Sequence, residues 1–352
     1  MPRISQKKQR RTARDGQKHA VLVKCPHALT VIILIAYLLS RLMNVSSRSR
    51  GTSLGKFQLN FPTLPHTFLH AMELSRNVDS ISIDQVVDVI QNDPSAVTRI
   101  LRVVNSAYYG IRAEVNSIRR AVIILGPEAV LGIVMSMSLI DLRTNLDVTT
   151  TVPFLNLVRH SIATAFIARH LVSISPVLHE VHNTESDLLN EAFTIGLLHD
   201  FGKIVLLHNF PEQAADLYGQ IMPPGISDKE ALAIEREVFG FHHAETGGFL
   251  MQELKFPSAI AAVVERHHNY HDATHLTESM RTLLHLIVVS NRLANTLEYD
   301  FNHSLTLQEF KDDDVLDLLI EDRIFDVSDK DEFVDLIMGL KNELDKYVNE
   351  VV

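Results

Sequence analysis

The sequence predicts an all-α protein, and three observations carry that expectation. From about Phe57 onward, apolar residues recur at helical spacing almost without interruption. Prolines stand at the heads of these runs, where a missing N–H costs nothing. No stretch alternates apolar and polar residues between hairpin-type turns. With 352 residues, 46% of them hydrophobic, the chain can bury a sizeable core, which excludes wholesale disorder.

Taken in order, the elements justify themselves locally. Ser82 and Gln85 form a capping-box signature ahead of Val86, Val87 and Ile90. Asp93-Pro94 reads as N-cap and first helical residue of a run with Ala96, Val97, Ile100, Leu101 and Val104 on one face. The segment Asn105–Gly110, NSAYYG, then reads as architectural, with aromatic packing from Tyr108-Tyr109 and a left-handed stop at Gly110. Helix starts are also expected at Gly126-Pro127, Val152-Pro153, Phe210-Pro211 and Phe256-Pro257. Asp141–Pro153 is expected to be a polar break between two lobes, and Pro223–Asp228 a loop. The acidic tail from Glu309 supplies amphipathic pieces expected to pack on the body. The organisation expected is a basic arm (1–56), an amino-terminal helical lobe (57–145), a second helical lobe (153–300) and an acidic helical tail (301–352).

Charge narrows the function classes. Residues 1–56 hold 12 Lys/Arg and one acid, whereas the rest holds 21 Lys/Arg against 42 Asp/Glu. So acidic a body is a poor partner for DNA or RNA, whose affinity comes from cations on phosphates. The one cysteine, Cys25, excludes an internal disulfide framework and fits a reducing, cytoplasmic setting. Ala28–Ser40 is an uncharged run of 13 residues, short of the roughly 20 a spanning helix needs. A membrane anchor through residues 1–42 is therefore disfavoured against a buried helix or an upstream extension ahead of Met43.

Histidines carry the chemistry. His199-Asp200 ends an apolar helix in GLLHDFGK, and His160 sits on the long helix before it. His242-His243 opens HHAETGG, and His267-His268 closes SAIAAVVERHH. Imidazole and carboxylate together suit a divalent transition metal such as iron, manganese or zinc. Adjacent residues within a helix point about 100° apart, so a His-Asp pair reaches one ion only at a helix end or seam. A hydrogen-bonded cluster that locks helix ends is the other reading of the same residues. His170 reads as an ordinary surface or core histidine, and one residue of each His-His pair need point inward.

FPTLPHTFL, IQNDPSAVTRILRVVNSAYYG, NSIRRAVIILG, AFTIGLLHDFGKIVLL, HHAETGGFL and ERHH occur in this order. Together, over roughly Phe57 to Leu297, they resemble the HDOD family (HD-related output domain), a relative of the HD and HD-GYP metal-dependent phosphohydrolases. The resemblance implies a two-lobed helical module with an HD-like carboxy-terminal lobe. It places metal ligands at His160, His199, Asp200, His243 and His268, with His267 as a further candidate, and a phosphate-contacting lysine at Lys203. The closing aspartate of the wider superfamily is replaced by Asn291, expected as an inward amide, and no Gly-Tyr-Pro segment follows His268. The resemblance thus implies a non-catalytic signalling protein that works through protein partners, with a metal-dependent phosphohydrolase or cyclic-dinucleotide phosphodiesterase as the alternative. A sensor for a nucleotide second messenger is the third reading.

Overall fold

Helix boundaries follow the capping chemistry of the sequence. A computed structural model describes residues 65–75, 81–106, 109, 111, 113–142, 148–175, 178, 185–221, 226–299, 306–321, 324–325 and 330–352. Among the described residues there are sixteen α-helices and no strand. The expectations for residues 1–56, including the apolar run 28–40, and for Tyr108 and Gly110, lie outside the described residues.

Helix α1 spans His66–Ser75. Helix α2 (Ile83–Gln91) opens on the expected reciprocal pair, Ser82 capping the Gln85 amide and Gln85 returning to Ser82. Helix α3 (Pro94–Val104) has Asp93 accepting from the amides of Ser95 and Ala96. At its other end, Asn105 clamps Leu101 and both main-chain groups of Val115, so the NSAYYG segment begins as a structural staple. Helices α4 (Ile118–Leu125) and α5 (Pro127–Asp141) meet at Gly126, whose φ of 85° lies where only glycine is relaxed. These five helices close on an apolar core that includes Phe68, Ile90, Ile100, Val122 and Ile133. Helix α5 is buried without a break from Val130 to Ile140, because α1 to α4 cover one side and the next two helices the other.

The second set begins with α6, a 27-residue helix over Val148–Ile174. Pro153 lies inside it, which corrects the expected start. Thr150 and Phe154, both buried and one turn apart, hold the first turns on the body despite the proline's missing N–H. Next come α7 (Glu185–Leu198), α8 (Phe201–Asn209) and α9 (Pro211–Asp216), which runs into a π-helical turn at Leu217–Ile221. Helix α10 (Asp228–Phe239) is capped by Ser227 and ends at Gly240, and α11 spans His243–Glu253. Helix α12 (Ser258–Arg266) has Pro257 one position outside it, and α13 spans Glu278–Thr296. The tail forms α14 (Leu307–Asp312), α15 (Val315–Glu321) and α16 (Lys330–Val351). It packs on its own body as expected: Val334, Ile337, Leu344 and Val348 are buried, and α16 touches α3, α5 and α6.

No single helix among the described residues is long and apolar enough to cross a membrane. The pair α4–α5 passes by composition, but it bends by 111° and α5 is core.

Glycines set how closely the second set packs. A Cβ at Gly196 of α7 would lie 2.6 Å from the Ala165 Cα of α6. At Gly202 of α8 it would lie 1.9 Å from the His243 carbonyl oxygen, and at Gly247 of α11, 2.9 Å from Val264 of α12. Three close crossings therefore draw α6, α7, α8, α11 and α12 together, and these are the elements that carry the histidines.

Candidate metal centre

His160 projects from the interior of α6, and every other member of the cluster stands at a helix end. His199 and Asp200 form the turn between α7 and α8, His243 is the first residue of α11, and His267 and His268 follow α12. Placement at ends removes the 100° restriction, so both residues of HD and both of the second HH turn inward. His267 had been left open by the sequence and belongs to the cluster.

The cluster centres on Asp200, whose side chain is 1% exposed. On one side, His160 Nε2 and His199 Nε2 lie 3.8 and 3.5 Å from Oδ2 and 3.3 Å from each other. On the other, His243 Nε2 and His267 Nε2 lie 3.2 and 3.5 Å from Oδ1. His268 Nε2 lies 3.0 Å from His243 Nε2. Two donor sets, His160–His199–Asp200 and Asp200–His243–His267–His268, thus share one carboxylate.

What faces the far nitrogen fixes each ring. Nδ1–H donates to the Tyr299 carbonyl from His160, to Gly196 from His199 and to Val264 from His267, at 3.0, 2.7 and 2.7 Å. His243 Nδ1 lies 2.7 Å from Glu235 Oε2, and His268 Nδ1 lies 3.0 Å from Asp228 Oδ2. An acceptor beside every Nδ1 favours the proton there and, wherever the ring is neutral, leaves the Nε2 lone pair pointing at the centre. Lone pairs that face each other at 3.0 and 3.3 Å repel unless a proton or cation lies between them. Asp200 Oδ1, His267 Nε2 and His268 Nδ1, moreover, are buried and make no well-directed hydrogen bond among the described residues. For a tetrahedral ion with bonds of about 2.0–2.1 Å, neighbouring donors stand roughly 3.3 Å apart, the spacing found here. The residues present fit a divalent transition metal.

A second layer supports the first. Glu235, 1% exposed on α10, accepts from the His243 amide and from Tyr218 of the π-helical turn. Asp228 is forked by Arg292 at 3.0 and 3.3 Å. Sequence reasoning missed both acids, because an acid on an amphipathic helix reads as solvated surface. Lys203, which the resemblance makes a phosphate contact, lies in the first turn of α8 with its Nζ donating to Asp200 Oδ2 at 2.7 Å. His242 stays outside the cluster as the N-cap of α11: its Nδ1 accepts from the Glu245 amide. Asn291 is 9% exposed on α13 and makes no hydrogen bond to the cluster among the described residues.

Electrostatics follow from burial and from these contacts. Burial pushes the Asp200 carboxyl up, but Lys203, His199 and His243 outweigh it and hold the group well below the usual carboxylate range. Burial drives His199 well below its ordinary value and, with His267 beside it, takes His268 down to about 3. Both therefore present neutral imidazole, the form that binds a metal. Burial opposes charge on His243 too, yet Glu235 overcomes it and leaves that ring raised.

The HDOD domain family's sequence model matches residues 61–270 of the chain, and the chain belongs to that family. An uncharacterised protein of Treponema pallidum (strain Nichols) is 24% identical over 243 residues, covering 68% of this chain; the chain spans only 43% of that relative. Three crystal structures share the fold. An HDOD domain protein of unknown function from Geobacter sulfurreducens superposes with a TM-score of 0.62 at 20% identity, covering 92% of this chain and 99% of that one. A candidate signal transduction protein from Marinobacter aquaeolei VT8 gives 0.60 at 18%, covering 93% and 66%. A candidate metal-dependent phosphohydrolase from Shewanella amazonensis SB2B gives 0.56 at 20%, covering 93% and 99%. At these identities the likeness establishes the fold and leaves the chemistry to the site.

Proposed function

We propose that the protein is a metal-binding HDOD signalling module that acts through protein partners in a reducing, cytoplasmic setting, and that hydrolysis is not its output. One observation carries the metal: five imidazole Nε2 atoms converge around the single carboxylate of Asp200, two pairs of them at 3.0 and 3.3 Å. His160, His199 and Asp200 would hold one divalent cation, and Asp200, His243, His267 and His268 a second. What such a cation supplies when bound is Lewis acidity and a strong local positive charge.

The charge balance favours regulation over turnover. Asp200 is the one acid in the two donor sets, and Glu235 and Asp228 stand behind histidines. At the position where the resemblance expects a closing aspartate, Asn291 offers no charge to neutralise a cation or activate water. A phosphohydrolase remains the second reading on one specific observation. Lys203 Nζ, on a side chain 18% exposed, stands beside Asp200 as a partly accessible cation that could meet a phosphate.

The test is metal content by mass spectrometry of the full chain purified without chelator, with phosphodiesterase assays on cyclic di-GMP and bis-p-nitrophenyl phosphate in parallel. The expected result is near-stoichiometric iron, manganese or zinc, lost in His199→Ala and His243→Ala, with no hydrolysis. Metal-dependent hydrolysis abolished by His199→Ala would establish the enzyme instead. A wild-type protein empty of metal that fills only on Asn291→Asp would mark the cluster as a scaffold.

A further inference from the structure

A second site lies away from the histidine cluster, at the junction of the two helical sets. A cavity of about 260 Å³ opens there among Tyr109, Phe166, Arg169, His170, Phe193 and Tyr347. Its walls come from Tyr109, from Leu125 and Ala129 of α4 and α5, from α6 and α7, and from α16, so it opens where the first five helices, the second set and the tail meet. Four of the six residues are aromatic rings. Phe166 and Tyr347 already pack at a centroid distance of 5.0 Å.

The polar part of the wall is one-sided. Arg169 is half-buried, and none of the hydrogen bonds and ion pairs of the described residues uses its guanidinium. His170 beside it is held below its ordinary value by burial, with Glu343 opposing, and so stands as a neutral donor or acceptor near neutral pH. Among the described residues that line the cavity there is no carboxylate, and the acid beside His170 is Glu343. A guanidinium that forms no ion pair among the described residues, set among aromatic faces, is the chemistry that receives an anion attached to a flat ring. Size limits the choice further. Pockets for drug-sized ligands run from about 300 to 1,000 Å³, so about 260 Å³ matches one ring system with its acid group more closely than a dinucleotide.

We propose that this inter-lobe cavity is a binding site for a small planar anion, an aromatic or heteroaromatic ring bearing one carboxylate or phosphate, held by Arg169 and stacked among Tyr109, Phe166, Phe193 and Tyr347. The site is independent of the metal reading, since no cluster residue lines it. It also gives Tyr109 a contact surface that the sequence had credited to packing alone.

Ligand-observed NMR on the full chain tests the proposal. The probes are 4-hydroxybenzoate, indole-3-carboxylate, AMP and GMP, each beside an uncharged counterpart: the methyl esters of the two acids and the free nucleosides. At least one acid is expected to bind and its counterpart not, with a tenfold or greater loss of affinity in Arg169→Ala. A carboxylate or a nucleotide response identifies the source of the anion. Arg169→Lys, which keeps the charge but not the fork, is expected to recover part of the binding, and a urea midpoint of Arg169→Ala close to wild type shows that the alanine variant folds. Absence of binding by all four acids, equal binding of acid and counterpart, or full binding in Arg169→Ala would each overturn it.

Discussion

The first five helices and the set from α6 to α13 are built from similar apolar faces but bury different things. Among the described residues of α1–α5, the buried polar side chains are Ser136 and Ser138, and Ser136 is satisfied by the carbonyl one turn back. From α6 to α13 the interior takes in His160, His199, Asp200, Glu235, His243, His267, His285 and Asn291. Burying ionisable groups is costly unless each is paired, and an apolar replacement of similar volume is often as stable. The first set is therefore organised for stability, whereas the second holds polar groups that stability alone does not require. The glycine crossings serve that second purpose by bringing histidines from four helices to the carboxylate at the head of a fifth.

The sharpest way to break this contrast is at a crossing. Gly202→Ala places a methyl group 1.9 Å from a main-chain oxygen that cannot swing away. A loss of about 4 kcal/mol or more is expected, with metal lost in step, read by urea denaturation and metal content. A stable, metal-replete Gly202→Ala would show that the crossings do not set the site. Next in size is Ile100→Ala in the first core, where the side chain is fully buried. It should cost about 2–5 kcal/mol yet leave metal stoichiometry unchanged below the transition, whereas His243→Ala should do the reverse. Equal effects of the two on metal and stability would erase the distinction.

A smaller effect concerns pH. Burial pushes the Glu235 carboxyl up, but His243 and the hydrogen bonds to it outweigh burial and bring the group from 4.5 to about 2. A depressed carboxylate stabilises the fold above its ordinary value, and that contribution is lost as pH falls from about 4.5 toward 2. Chelated wild type should therefore lose more stability between pH 6 and 3 than chelated Glu235→Gln, by about 1–2 kcal/mol. Parallel curves would remove Glu235 from the account. The smallest effect has the opposite sign. Gly339 lies exposed within α16, with nothing within 4 Å of where an alanine methyl would sit. Gly339→Ala should therefore stabilise by about 1 kcal/mol, read as a higher urea midpoint with metal content unchanged.

Much of this was legible in the sequence wherever the signal is local. The Ser82–Gln85 box, the Asp93-Pro94 start and the amphipathic pattern of the acidic tail depend on neighbours in the chain, and the helical class followed from them. His160, His199, Asp200, His243 and His268 were placed through the family resemblance. His267 was left open because the 100° rule was applied to residues that lie just beyond a helix. Pro153 misled because the burial of Thr150 and Phe154 is a tertiary fact. Glu235 and Asp228 lie on α10, where only the fold reveals which acids turn inward. Gly196, Gly202 and Gly247 stand inside the very motifs that carry the histidines, and small residues at that spacing were the available sign of close helix crossing.

The orientation of the rings gives the cluster a voice of its own in spectroscopy. Nδ1–H of His160, His199 and His267 each ends on a main-chain carbonyl, and all three side chains are 5% exposed or less. Protons so enclosed exchange slowly with water and give resolved imidazole resonances downfield of the amide envelope. Titrating a diamagnetic cation such as zinc against those lines would follow each donor set separately, because His160 belongs to one and His267 to the other.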